Sequence, residues 1–247
     1  MDSTRRDAAR DRLILALDVP TLDDADALYQ RLAPWFGWFK VGLELFSAHG
    51  PAVFDRLPAS RVFLDVKYHD IPNTVAGASR AAAGLGVWMF NVHASGGRAM
   101  MEAARRSAEE VGEASGRRPL VIAVTVLSSI DSKVWNGELG LGSAVEDQVV
   151  RNAVLARESG LDGVVASAPE VARIREACGQ DFVIMTPGIR PAGSARGDQR
   201  RVMTPAEAIA AGSTYLGIGR PVTASPDPEA AAEAILQEVA GALENGK

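Results

Sequence analysis

The sequence predicts a single closed (β/α)8 barrel of the TIM type, and three observations carry that expectation. The chain has 247 residues, near the roughly 250 usual for such barrels. Short apolar runs alternate with longer helical patterns from one end to the other, and there are eight such runs. No linker, low-complexity stretch or shift in composition marks a second domain, so 1–247 reads as one unit. Residues 1–11 read as a flexible tail leading into the first strand.

In order, the strand candidates are LILALD (13–18), WFKVG (38–42), RVFLDVK (61–67), VWMFNVH (87–93), LVIAVTV (120–126), DGVVAS (162–167), FVIMTP (182–187) and TYLGIG (214–219). They are apolar on both faces and separated by helical patterns, which is the signature of a parallel sheet covered on both sides. Segments 21–33, 73–86, 97–112 and 143–160 carry Ala, Leu and Val at helical spacing. Ser143 with Glu146 and Thr204 with Glu207 fit capping boxes, in which side chains satisfy free N–H groups at a helix start. Gly160 and Gly212 stand where a helix ends in a left-handed residue before the next strand. Two connections are long: LSSIDSKVWNGELGLG after the fifth strand and GIRPAGSARGDQRRVM (188–203) after the seventh. Both follow strand C-termini, the face on which barrel enzymes keep their chemistry, so they read as covering or binding loops.

Bulk properties narrow the function. The formal net charge is -5, which argues against nucleic-acid binding, since neutralising many phosphates needs a basic face. One small phosphorylated ligand needs only two or three local donors and stays compatible. No apolar stretch reaches the 18 or so residues of a membrane span. The early run LILAL is five residues long with Asp7 and Asp11 before it and Asp18 after it, unlike an export signal. A lone Cys178 cannot form an internal bridge and fits a reducing, cytoplasmic setting.

The most informative stretch is DVKYHDIPNT (65–74), which crowds Asp65, Lys67 and Asp70 at the end of an apolar strand. It suits a structural ion cluster, a metal site, or proton-transfer machinery. Residues two apart in a strand share a face, with Cα atoms about 6.6 Å apart, so the Asp65 and Lys67 head groups can meet. A buried ion pair gains little net stability after desolvation, so a cluster kept at a strand C-terminus favours function. Asp18 and Lys40 occupy the equivalent ends of the first two strands, extending an alternating set of acids and ammoniums around one mouth. Lys40 alone would read as a snorkelling surface lysine; its agreement with the neighbouring strands reverses that. Asp65 and Asp70 suit Mg²⁺, but Lys40 and Lys67 in the same space would repel it. His49, His69 and His93 show no HxxxH spacing, and one cysteine builds no thiolate site. The serines of HASGG and LSS lack a triad partner, leaving Ser128 as a hydrogen-bonding group for a ligand's polar edge. For phosphate, Gly219 permits close backbone approach and Arg220 offers a planar fork, joined by Arg190, Gln199, Arg200 and Arg201 from the preceding loop.

Taken together, LALD, FKVG, FLDVKYHDIPNT, NVHASGG, VTVLSS, GLDGVVAS, TPGIRP…GDQRR and IGRPVT run in order across nearly the whole chain and resemble the orotidine 5′-phosphate decarboxylase family. The DxKxxD element is shared by a wider superfamily; its agreement with GDQRR and IGRPVT is far more specific. The resemblance implies conversion of orotidine 5′-phosphate to uridine 5′-phosphate and CO2 in de novo pyrimidine synthesis, without metal or organic cofactor, by a homodimer with active sites at the interface. It further implies that Lys67 protonates C6 of the pyrimidine, that Asp65 lies against the departing carboxylate, and that Lys40 joins the same network. Asp70 and Thr74 would reach the neighbouring subunit's site. Asp18 would contact the ribose and Ser128 the pyrimidine edge. Arg190, Gln199, Gly219 and Arg220 would hold the phosphate under a mobile 188–203 loop. Two alternatives are a Mg²⁺-dependent sugar-phosphate decarboxylase or aldolase of the same superfamily and a non-catalytic nucleotide-binding barrel. The first is disfavoured because those relatives place a glutamate metal ligand where this chain has Lys40.

Overall fold

The computed structural model describes residues 2–191 and 203–245. Among these, eight parallel strands close into a barrel in sequence order, with β1 pairing both β2 and β8. The strands are β1 (Leu13–Ala16), β2 (Trp38–Gly42), β3 (Val62–Tyr68), β4 (Met89–His93), β5 (Leu120–Val124), β6 (Gly163–Val165), β7 (Val183–Thr186) and β8 (Tyr215–Ile218). Every predicted run therefore contains a strand. The helices are α1 (Ser3–Arg10), α2 (Leu22–Leu32), α3 (Leu43–His49), α4 (Pro72–Gly84), α5 (Gly97–Ser115), α6 (Val145–Glu158), α7 (Val171–Cys178), α8 (Pro205–Ala210), α9 (Arg220–Thr223) and α10 (Pro228–Asn245). None of the described helices is long and apolar enough to cross a membrane.

Strand alternation sorts the core into two layers. Leu13, Leu15, Val62 and Leu64 face outward into the layer shared with the helices, whereas Ile14 and Phe63 join Met89, Ile122 and Met185 inside the barrel. Large apolar side chains thus fill the barrel's interior, as expected for a packed core. At the N-terminal end the plug is aromatic. Trp38 and Trp88 stack with ring centroids 3.6 Å apart, and Tyr215 meets both edge-on. Trp38 donates its indole N–H to the Asp11 carbonyl at 3.0 Å, so a ring exposed on one side keeps its polar atom satisfied. With the bottom filled this way, the next inward-facing positions toward the strand C-termini are where the charged residues appear.

Two expectations need correction. Residues 3–10, expected as part of a flexible tail, form α1, docked along α10. Asp2 caps it by accepting from the Arg5 N–H at 2.9 Å, Ala9 is fully buried, and Arg6 pairs with Glu233 of α10 at 2.9 Å. Arg5 and Arg6 match the acidic face of the last helix through Glu244 and Glu233. The Ser143 cap does not form either: α6 begins one residue later, with Ala144 at the cap position and no side-chain cap. The Thr204–Glu207 box does form in full. Gly160 and Gly212 have φ of +77° and +104°, conformations that would strain residues carrying a Cβ.

Candidate active site

The C-terminal half of β3 delivers the centre of the site. Asp65 is buried at 8% exposure and accepts from Lys67 Nζ on its Oδ1 at 2.7 Å. Its Oδ2 lies 3.5 Å from Lys40 Nζ of β2, which in turn donates to Asp18 Oδ1 at 2.7 Å. Four residues from three consecutive strand ends thereby form one chain of alternating charge: Asp18, Lys40, Asp65, Lys67. Gly42 leaves room for it, since a Cβ there would come within 3.0 Å of Lys40 Nζ and 3.1 Å of Asp18 Oδ1.

The head groups of Asp65 and Lys67 meet as expected, but simple strand alternation does not bring them there. Lys67 has φ of +52°, the one positive value at a non-glycine among the described residues. The β3–β4 ladder shifts register between Leu64, opposite Phe90, and Tyr68, opposite Val92; four steps along β3 thus face two along β4. A left-handed lysine costs on the order of 1–3 kcal/mol and persists only where its surroundings hold it.

The field of this chain fixes its charges. Burial alone would drive Lys40 toward the neutral amine, but Asp65 and then Asp18 more than reverse that, and its pKa stands above the ordinary lysine value. Burial likewise pushes the Asp65 carboxyl up; Lys40, then Lys67, and hydrogen bonds from Lys67 and Asn91 outweigh it, leaving the pKa below the usual range. An ionised aspartate beside a protonated lysine is the state that results at neutral pH. His93, whose ring centroid is 5.4 Å from that of His69, has its pKa lowered first by burial and then by His69 and Lys67, so it is neutral there.

A cavity of about 530 Å³ opens over these residues, a volume within the range of small-molecule sites. Asp18, Lys40, Asp65 and Lys67 line one side of it, and Ser128, Arg190, Gly219 and Arg220 also face it. Burial and then the like charge of Arg220 depress the pKa of Arg190: two guanidinium groups act on one another across this wall, a setting that favours an anion. A Cβ on Gly219 would make only ordinary contact with Ala16, at 3.6 Å, so packing within the chain does not require glycine there. Asp70 and Thr74 do not line this cavity. Asp70 is exposed and accepts from the Ile71 N–H at 2.6 Å, and Thr74 lies in the exposed first turn of α4. Gln199, Arg200 and Arg201, and with them most of the 188–203 loop, lie outside the described residues.

Asn91, on β4, is a member of this network that the sequence reading missed. It is fully buried, donates from Nδ2 to Asp65 Oδ1 at 2.7 Å, and accepts the Lys67 N–H on Oδ1 at 2.8 Å. The signal was present: an amide inside an apolar strand, two residues before His93 and so on the same face, must find buried partners. Among the described residues no three His, Cys, Asp or Glu side chains gather as a metal would require.

A closed parallel barrel whose C-terminal mouth suspends an ionised aspartate between two lysines, beside two guanidinium groups, has the build of a barrel enzyme, with its charged groups on the face where such enzymes keep their chemistry. The chain belongs to the Orotidine 5'-phosphate decarboxylase / HUMPS family, whose family model matches residues 11–235. It is 58% identical over 234 residues to the orotidine 5'-phosphate decarboxylase of Moorella thermoacetica, covering 94% of this chain and 93% of that protein. It is 55% identical over 233 residues to that of Halorhodospira halophila, covering 94% and 97%. The crystal structure of orotidine 5'-phosphate decarboxylase from Lactobacillus acidophilus superposes with a TM-score of 0.82 at 38% identity, covering 93% of this chain and 99% of that one.

Proposed function

We propose that this protein decarboxylates orotidine 5′-phosphate to uridine 5′-phosphate and CO2 in de novo pyrimidine synthesis, with no metal or organic cofactor. The alternating chain Asp18–Lys40–Asp65–Lys67 is the observation that carries the reading. The bond between C6 and the carboxylate breaks, the electron pair stays on C6, and a proton from Lys67 Nζ takes the place of CO2. A catalyst of this step must favour a carbanion over the starting carboxylate. A fixed ammonium does so: two unit charges 4 Å apart interact by about 4 kcal/mol at an effective dielectric of 20, roughly a thousandfold in rate. Asp65, ionised and held by Lys40 and Asn91, accepts Lys67 Nζ at 2.7 Å and sets a negative group where the substrate carboxylate must lie.

In this reading Asp18 binds the ribose, Ser128 the pyrimidine edge, and Arg190, Gln199, Gly219 and Arg220 the phosphate. The working unit is a cytoplasmic homodimer in which Asp70 and Thr74 complete the partner's site. Exposed apolar side chains around the mouth support a covering partner: Leu43 follows β2, Ile71 follows β3, and Leu127, Leu139 and Leu141 lie beyond β5. The test is loss of the orotate ultraviolet absorbance in the presence of EDTA. Undiminished turnover is expected; strict dependence on added Mg²⁺ would instead assign the protein to the metal-dependent branch of the superfamily.

A further inference from the structure

Resting on the decarboxylase reading, we infer that Asn91 is the positioning residue of this site: one amide holds Lys67 in its left-handed backbone conformation and orients the Asp65 carboxylate. The argument starts from the break in the β3–β4 ladder. Between the pairs Leu64–Phe90 and Tyr68–Val92 the register shifts, so the Lys67 N–H has no regular carbonyl of β4 opposite it. Asn91 Oδ1 accepts that N–H at 2.8 Å, replacing the missing ladder bond with a side chain. The other end of the same amide donates to Asp65 Oδ1 at 2.7 Å, the oxygen that also receives Lys67 Nζ at 2.7 Å.

Both ends are needed at once. An amide is an uncharged side chain that offers a donor and an acceptor from one planar group, and at 0% exposure neither end faces bulk solvent. A hydroxyl is too short to span both partners, and an apolar residue leaves the Lys67 N–H and one face of the carboxylate without a partner in the interior. The ionisable groups bound into this network are Asp65 and Lys67 on β3, Lys40 on β2, Asp18 beyond β1 and His93 on β4. Asn91 is the neutral member that fixes where two of them stand. It touches no reacting atom; it acts through Lys67 and Asp65.

The experiment compares wild type, Asn91→Leu and Asn91→Asp by kcat, by affinity for uridine 5′-phosphate and across pH. Asn91→Leu is expected to lower kcat by about 100-fold, the effect of misplacing a reacting group by an ångström, with nucleotide affinity within about threefold because the phosphate wall is untouched. If Asn91→Leu does not fold, Asn91→Asp carries the test, being close in shape. Protonated, its carboxyl reproduces both hydrogen bonds; ionised, it faces Asp65 with like charge. Its kcat should therefore fall as pH rises through a range where wild type is flat. The inference is overturned if Asn91→Leu keeps kcat within about threefold, if kcat and nucleotide affinity fall by the same factor, or if Asn91→Asp follows the wild-type pH profile. A wild-type protein that does not consume orotidine 5′-phosphate would refute the decarboxylase reading itself, a separate outcome.

Discussion

Two aspartates at opposite ends of the barrel carry similar surroundings and different work. Asp162, just before β6, accepts Arg118 through two bonds at 2.7 and 2.8 Å, Arg105 at 2.8 Å and the Val121 N–H at 2.8 Å. Asp65, near the end of β3, accepts Lys67 and Asn91, each at 2.7 Å, and faces Lys40 at 3.5 Å. Burial raises both pKa values and partners more than reverse it, so both stand below the ordinary range. The cations differ. Arginine is a rigid fork that never gives up its proton, whereas lysine is a point charge that can. At the bottom, the ion cluster ties the starts of β5 and β6 together. At the mouth, the cluster opens onto the cavity and includes a left-handed backbone. One aspartate is a clasp; the other, in the reaction proposed above, supports a proton donor.

The largest expected separation of the two comes from Lys67→Ala. It should lower turnover by about 1000-fold or more, through loss of both the charge and the proton, while uridine 5′-phosphate still binds. Stability should respond little, because Asp65 retains Lys40 and Asn91. Lys67→Gly, equally inactive, should melt at or above Lys67→Ala, since glycine adopts φ of +52° without strain. Thermal melts of the two variants decide this; a Lys67→Ala protein with near-wild-type turnover would end the proton-donor role.

Mixing sharpens the mouth further. Lys67→Ala and Asp70→Ala proteins, each inactive alone, should regain up to about a quarter of wild-type activity on subunit exchange, because half of the dimers are then hybrids with one intact site. Exchange demonstrated by differently tagged subunits, with activity still absent, would show that Asp70 does not act across an interface. The prediction matters because Asp70 lies outside the cavity of its own chain, where its carboxylate serves the Ile71 N–H.

The contrast also explains what could be read before the structure was known. The strands were legible because apolar runs punctuated by glycine and proline encode local period, and closure follows from their number. Asp18, Lys40 and Asp65 were legible because each is a charge at or toward the C-terminal end of such a run. The α1 helix was not: it has eight residues, too short to hold itself, and its partner Glu233 on α10 is 227 residues away. The Ser143 pattern misled because a capping box names a possible start, while the helix began where Val145 could bury. The geometry of Lys67 was illegible for a deeper reason. Positive φ at a lysine has no local cause; Asn91 imposes it from the next strand, and only the odd amide in NVH hinted that something buried needed two partners.

The smallest effect belongs to the clasp, and pH isolates it. Asp162→Asn keeps the shape but leaves Arg118 and Arg105 without their carboxylate, a loss of about 2 kcal/mol once partial exposure is allowed for. For a chain of this size that lowers the melting temperature by about 6 °C, with kcat unchanged. The sign of the pH dependence follows from the direction of the shift. A carboxyl whose folded pKa lies below its unfolded value of 3.8 stabilises fully above that value and loses the contribution as pH falls through the folded one. The gap between wild type and Asp162→Asn should therefore be complete at neutral pH, narrow below about pH 4 and close in stronger acid. Melting curves across that range test it directly. A gap that stays constant into acid would mean that the asparagine disturbs packing rather than charge, and Asp162 would no longer serve as the structural counterpart of Asp65.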